Sequence, residues 1–377
     1  MEKFSAYRDP GTGIQPFLTP VPPLGAEFVA KVTLPVRYIL AVVRTALVLT
    51  LALIYIILVK GLFLVFYPIP PLYRTIDNLF TYVIGRTALF TLGLFWINVE
   101  QFNRKRVRGP KLVEKCSPKA ADVIVSNWAS WIDVVWLAIR FNPIFVLPVP
   151  VSLPESTVAS RASTPVSHTP GRRTGTGSAN IQVASRTTTL RVPISGFRQL
   201  SLLSMIIHTG GVPPYGSMEC RPLEDIRRSA SRPIVVFPEC TTSNGRGLLR
   251  FADVFRQTVP VKKFQVFVVS IRYDPPTNLA PTLTHTMPSR IFNPLPHIFS
   301  LGTALSSAQM SIRLLAPSES PSSQLFMVHE VLSDYAGEDQ LSETCAHLIS
   351  QMGKLKRMGL GWEEKYHFLD FYKGKSK

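Results

Sequence analysis

Glu239 stands among polar side chains within an otherwise apolar stretch, Pro233 to Phe251 (PIVVFPECTTSNGRGLLRF). Ile234 to Phe237 read as a short buried strand, because a β-branched and aromatic run bounded by prolines suits the interior of an α/β sheet. The carboxylate then falls just past the strand's carboxyl end, followed by Thr241, Thr242, Ser243 and an Asn244-Gly245 turn. Ligands of open α/β sheets gather outside those ends, so this group is placed where chemistry usually sits. The same residues also make an ordinary hydrogen-bonded turn, and the stretch alone leaves both readings open.

A second stretch lies upstream, Ala121 to Phe141 (ADVIVSNWASWIDVVWLAIRF). Val123 to Val125 predict another buried strand, Ser126-Asn127 break it, and from Trp131 the apolar residues Ile132, Val135, Trp136 and Ile139 recur at helical spacing. Ser130 can therefore cap that helix. Asp133, three residues on, takes the place of the acidic member of a capping box.

Together the two stretches resemble the PlsC family of glycerolipid acyltransferases, in particular its fungal lysophosphatidic acid acyltransferase branch. That family carries NHxxxxD on a strand-loop-helix and FPEGT(R/T)S after a later strand. Asn127-Trp128-Ala129-Ser130-Trp131-Ile132-Asp133 and Phe237-Pro238-Glu239-Cys240-Thr241-Thr242-Ser243 match in order and separation. The resemblance covers Asn98 to Lys377 and implies an α/β fold, a mixed sheet flanked by helices. It further implies transfer of an acyl group from acyl-CoA, as co-substrate, to a lysophospholipid hydroxyl, with no other cofactor and no metal. In the family the histidine, steadied by the aspartate, deprotonates the acceptor, and the glutamate motif binds it. Carried over, Asp133 is catalytic, and Glu239, Thr241, Thr242 and Ser243 bind substrate.

Three positions depart from that pattern. Trp128 takes the place of the histidine, and an indole N–H has no basic form with which to accept a proton. Cys240 replaces the motif glycine, and Thr242 stands where many members carry an arginine for the substrate phosphate.

The elements that must position these residues follow from composition. Of 377 residues, 41 are Lys or Arg and 24 are Asp or Glu, a net charge of +17, while 46% are hydrophobic. Mean hydropathy is +0.18 and the isoelectric point about 9.9. A basic excess beside apolar segments favours membrane lipids over nucleic acid as the acidic partner, and no nucleic-acid-binding motif accompanies the charge. Cys116, Cys220, Cys240 and Cys345 have no metal-ligand spacing and read as reduced thiols.

Residues 1–35 are Pro- and Gly-rich without periodicity and are expected to form a disordered tail. Residues 36–99 are expected to be a membrane anchor. Within it Thr45 to Phe66 supplies the ~20 apolar residues a span needs, and Leu79 to Val99, divided by Arg86, reads as an interfacial or re-entrant helix or a second hairpin arm. The basic run that follows, Arg104 to Lys119, points to the cytosolic face.

Residues 100–377 form the acyltransferase-like domain, interrupted at 152–189 by a Ser-, Thr-, Gly- and Pro-rich insertion expected to be disordered. Within the domain the expectations are a helix at Phe197 to Ile207 and strands at Phe264 to Ile271, Ile312 to Leu315 and Phe326 to Val328. A closing helix is expected at Glu338 to Met358. His208 is the histidine to examine as a replacement base. The terminal Lys373-Gly374-Lys375-Ser376-Lys377 looks like a dilysine retrieval signal, which implies the endoplasmic reticulum membrane, with the lipid droplet as the alternative surface.

Overall fold

In the computed structural model, which describes residues 4–23, 25, 27–66, 68–104, 114–154, 190–216, 220–332 and 337–374, the two motif strands lie side by side at the centre of a sheet. These are β2 (Val123–Ser126) and β5 (Ile234–Val236), paired in parallel with Val123 opposite Ile234. Every residue of both is buried, as their continuous apolar character requires of strands covered on two faces. The other strands are β1 (Ile97–Phe102), β3 (Ile144–Pro150), β4 (Ile194–Leu200), β7 (Val266–Tyr273) and β8 (Met310–Leu315). The order across the sheet is β1-β8-β7-β2-β5-β3-β4, with β3–β4 and β7–β8 antiparallel and the remaining pairs parallel. A mixed α/β sheet is therefore present as expected.

Two apolar layers cover the sheet. One holds α4 (Trp131–Phe141) and α7 (Leu295–Gly302); the other includes α8 (Gln340–Gly353). Between the strands run α5 (Leu202–His208) and α6 (Leu223–Ser229). A two-residue pair, β6 (Gly247–Leu248) with β9 (Lys356–Arg357), joins the turn after β5 to the C-terminal region, which ends in α9 (Trp362–Gly374).

Several expected elements come out differently. Phe197 to Leu200 is strand, not helix, because β4 pairs with β3 from Leu200 opposite Phe145, and only after Ser201, whose hydroxyl caps Ser204 N–H, does α5 begin. Phe326 to Val328 finds no partner strand and leads into a 3-10 turn at Val328–Glu330. The closing helix stops at Gly353, where Lys354 turns left-handed (φ 51°), and α9 follows as an element with no clear sequence signal.

The N-terminal region departs most from expectation. Residues 4–20 are not a free tail. Phe17 is 1% exposed within a cluster that includes Phe368 and Leu369 of α9, and the Asp9 carboxylate accepts Gly359 N–H at 2.9 Å. After α1 (Glu27–Val32), α2 runs from Leu34 to Val59 and α3 from Pro70 to Thr91, forming a helical hairpin. The stretch Leu34 to Phe66 is long and apolar enough to cross a membrane by length and composition.

Both arms nevertheless touch the sheet domain. Arg37 and Arg44 of α2 donate to Thr303, Gly302 and Ala304 carbonyls at the end of α7, and a Cβ on Gly302 would meet Ala41 Cα at 2.9 Å. Asp77 of α3 pairs with Arg232 at 2.8 Å. The expected insertion, the dilysine signal and part of the basic run fall largely outside the described residues.

Candidate functional site

Asn127 follows β2 and clamps the neighbouring strand, donating to Ile271 C=O (2.9 Å) and accepting Ile271 N–H (2.8 Å). This fixes the loop that carries Trp128, Ala129 and Ser130 into α4. Ser130 and Asp133 form a full capping box, with Asp133 Oδ2 accepting the N–H groups of Ala129 (2.7 Å) and Ser130 (2.8 Å). The second oxygen, Oδ1, accepts the Tyr273 hydroxyl at the end of β7. Burial pushes the Asp133 carboxyl up to about 6, against the pull of the Tyr273 hydroxyl and the two backbone donors.

Trp128 is 1% exposed, and its ring stacks on Phe237 with centroids 5.0 Å apart. Its indole N–H has no hydrogen-bond partner among the described residues, so the side chain at the motif's histidine position is core. Its backbone N–H donates to Glu239 Oε2 (2.6 Å), while Glu239 Oε1 accepts Leu249 N–H (2.9 Å). Both carboxylate oxygens therefore staple the first-motif loop to the segment after β6. Burial raises the Glu239 carboxyl to about 8, opposed by those two donors, raised further by Asp133 and opposed by Lys365.

The hydroxyls of the second motif are likewise occupied. Thr241 donates to Gly211 C=O, Thr242 to His285 C=O (2.6 Å), and Ser243 to Gly247 C=O (3.5 Å). Ser243 N–H returns to Trp128 C=O at 3.2 Å. The six residues singled out in the sequence are thus all buried, joined directly where Trp128 N–H meets Glu239 and Ser243 N–H meets Trp128 C=O, and otherwise hydrogen-bonded to surrounding residues. Cys240, in the glycine's place, sits at φ 58°, the left-handed region that favours glycine at a cost of ~1–2 kcal/mol for other residues. His208 points elsewhere, its Nδ1 2.7 Å from Ser204 C=O within α5.

Sequence reasoning missed several members. Lys365 of α9 is completely buried, donating to Thr242 C=O (2.7 Å) and its hydroxyl (3.2 Å), and burial holds its ammonium well below the usual range. Asn244 reaches the N-terminal segment, bonding the carbonyls of Gln15, Pro16 and Leu18. His285 and His297 also lie at this site: His285 N–H donates to Ala129 C=O (2.8 Å), and the two rings are 4.7 Å apart. Burial lowers His285 to about 4 and His297 to about 3, so both are neutral imidazoles at physiological pH. No local pattern marks Lys365, His285 or His297, because each meets the motifs only through tertiary packing; Asn244 was legible as a turn residue, but its bonds to the N-terminal segment were not.

Two cavities flank the cluster. One, of about 690 Å³, is bounded by Val48 and Ala52 of α2, Ile84 and Gly85 of α3, and Trp131 and Val135 of α4, among other residues. The other, about 220 Å³, mixes polar and apolar walls and bears Arg246, Arg272 and Lys354 with Asp274. Tyr273, the partner of Asp133, lines the second; Trp131, two residues from Asp133, lines the first. Among the described residues no group of acidic, cysteine and histidine side chains could hold a metal ion. Comparison of the chain with family models, curated proteins and solved structures finds no match, which leaves the family likeness resting on the two motifs.

Proposed function

We propose that the chain is a membrane-attached acyltransferase moving an acyl group from acyl-CoA to the hydroxyl of a lysophospholipid, lysophosphatidic acid or a related 1-acylglycerophospholipid, in phospholipid or triacylglycerol synthesis. The observation that carries this reading is the apolar cavity. At about 690 Å³ it lies within the size range of small-molecule sites, and its walls come from the α2–α3 hairpin on one side and the motif helix α4 on the other. An acyl chain entering from lipid would reach the motif without crossing water. The smaller cleft beyond, with three cations against one carboxylate, suits an anionic headgroup or the phosphates of CoA. The endoplasmic reticulum membrane or lipid droplet is the matching location.

The test is acyl transfer by the purified full-length protein in detergent, with a panel of lysophospholipids, reading thiol release and new ester. Acceptor-dependent release is expected; background rates across the panel would refute the enzyme.

The burial of Trp128 favours a second reading, a lipid- or acyl-CoA-binding or scaffold protein that has kept the fold. Binding of acyl-CoA without transfer would select it. Under either reading Trp128→His removes packed indole surface at a cost on the order of 3 kcal/mol and yields no faster transfer.

A further inference from the structure

We propose that His285 is the general base of this acyl transfer, in place of the residue at the motif's histidine position; the inference rests on the acyltransferase reading above. A base must have a free lone pair, a fixed ring and a place beside the reacting groups. The three histidines near the site differ in these respects. His297 has both nitrogens committed, Nδ1 accepting Trp131 Nε1–H at 2.9 Å and Nε2 donating to Thr282 C=O at 3.1 Å. His208 is held within its own helix, and no hydrogen bond ties its side chain to either motif.

His285 has the required arrangement. Asn293 Nδ2 donates to the carbonyls of Ile207 and Thr209, which fixes its Oδ1 as the acceptor facing His285 Nε2 at 2.8 Å. The proton therefore sits on Nε2 and Nδ1 carries the lone pair, the bond at Nε2 being the one the ring makes among the described residues. The main chain of His285 is tied to both motifs, through Ala129 C=O and the Thr242 hydroxyl. His285 stands between residues of the two cavities, its ring partner Asn293 lining the apolar one and its chain neighbours Thr282 and Thr284 lining the cationic one. The titratable groups facing it are His297 and Lys365. In this assignment the acyl chain occupies the apolar cavity with its thioester beside Trp131 and Asn293, and the acceptor is held in the cationic cleft.

In the step assigned to it, His285 Nδ1 takes the proton of the acceptor hydroxyl as that oxygen attacks the thioester carbonyl carbon. The tetrahedral intermediate collapses with cleavage of the C–S bond, and the imidazolium returns the proton to the departing sulfur. An ester and free CoA thiol result, and the imidazole is restored.

Steady-state kinetics of the full-length protein with His285→Gln test the role, because the glutamine amide can still donate to Asn293 Oδ1 but has no basic nitrogen. The expected result is a kcat lower by about 10²–10⁴-fold with the KM for acyl-CoA within a few-fold of wild type, while His208→Gln stays at the wild-type rate. A folded His285→Gln protein with wild-type kcat, or loss of activity in His208→Gln instead, overturns the assignment and leaves the acyltransferase reading standing. Absence of transfer by the wild type removes both. Wild-type protein supplies a second measurement that does not depend on a variant folding. An acyl-CoA analogue carrying a chloromethyl ketone in place of the thioester should alkylate His285, as read by peptide mapping, and labelling elsewhere or nowhere overturns the role.

Discussion

Asp133 shows how fully a single buried side chain can be committed to structure. Its two oxygens cap α4 and hold Tyr273, so the carboxylate fixes the motif loop relative to β7 whatever else it does. Burial nevertheless disfavours its charge, and the same holds for Glu239. A carboxyl raised from 3.8 to about 6 contributes stability that is fully present below the unfolded value and is lost as pH rises through about 6; Glu239, raised from 4.5 to about 8, extends the loss upward. His285 and His297 act in the opposite sense, their contribution present above 6.5 and lost as pH falls through about 4 and about 3. Asp133→Asn keeps an acceptor for the Ala129 and Ser130 donors and removes the ionisation. Melting temperatures between pH 4 and pH 7 should therefore fall less for the variant than for wild type, and parallel curves would show that Asp133 does not titrate in that window.

At the scale of elements, β3 and β4 offer a direct test of the expected insertion. Val151 N–H donates to Pro193 C=O at 2.9 Å, so the chain leaves and re-enters the sheet at adjacent points. Deleting residues 155–186 shortens a connection whose ends already meet, and loop-closure entropy changes only slowly with length, by ~0.6 kcal/mol per doubling. The melting temperature should stay within a few degrees of wild type; a large fall would show that the segment is packed.

The same pair shows what the sequence carried and what it withheld. The two central strands, the capped helix α4 and the turn after β5 were legible because each has a local signature: β-branched runs, a Ser-x-x-Asp box, a polar turn. The helix expected at Phe197 to Ile207 failed because pairing with β3 overrode an apolar run of ambiguous period. Residues 4–20 looked like a tail because Pro and Gly hide periodicity, yet Phe4, Tyr7 and Phe17 pack on the aromatic face of α9. Of the site, the motif residues were legible; Tyr273, His285, Asn293 and Lys365 were not, since their partners lie far away in sequence.

For the whole molecule, the decisive geometry is that residues 4–20, both arms of the hairpin and the sheet domain are packed together. Asn244 beside the second motif bonds the N-terminal segment, and Arg37, Arg44 and Asp77 bind the hairpin to the domain. The N-terminal segment and the domain must then share one side of any membrane, which excludes a single crossing that separates them. The outward surface of the hairpin is a continuous apolar face, with Ile39, Val43, Leu47, Leu53 and Ile57 of α2 and Leu79, Val83 and Phe90 of α3 all exposed. Such a patch on a soluble protein would be a liability, and under the proposed function it lies against lipid. Wild-type protein should accordingly stay in the membrane pellet through alkaline carbonate extraction. Leu53→Asp combined with Ile57→Asp introduces two charges on that face while leaving the buried contacts of Val48, Tyr55 and Val59 intact. The double variant should move to the supernatant with an unchanged circular dichroism spectrum. Release of the wild type by carbonate, or a double variant that pellets as wild type does, would place the membrane contact on some other surface.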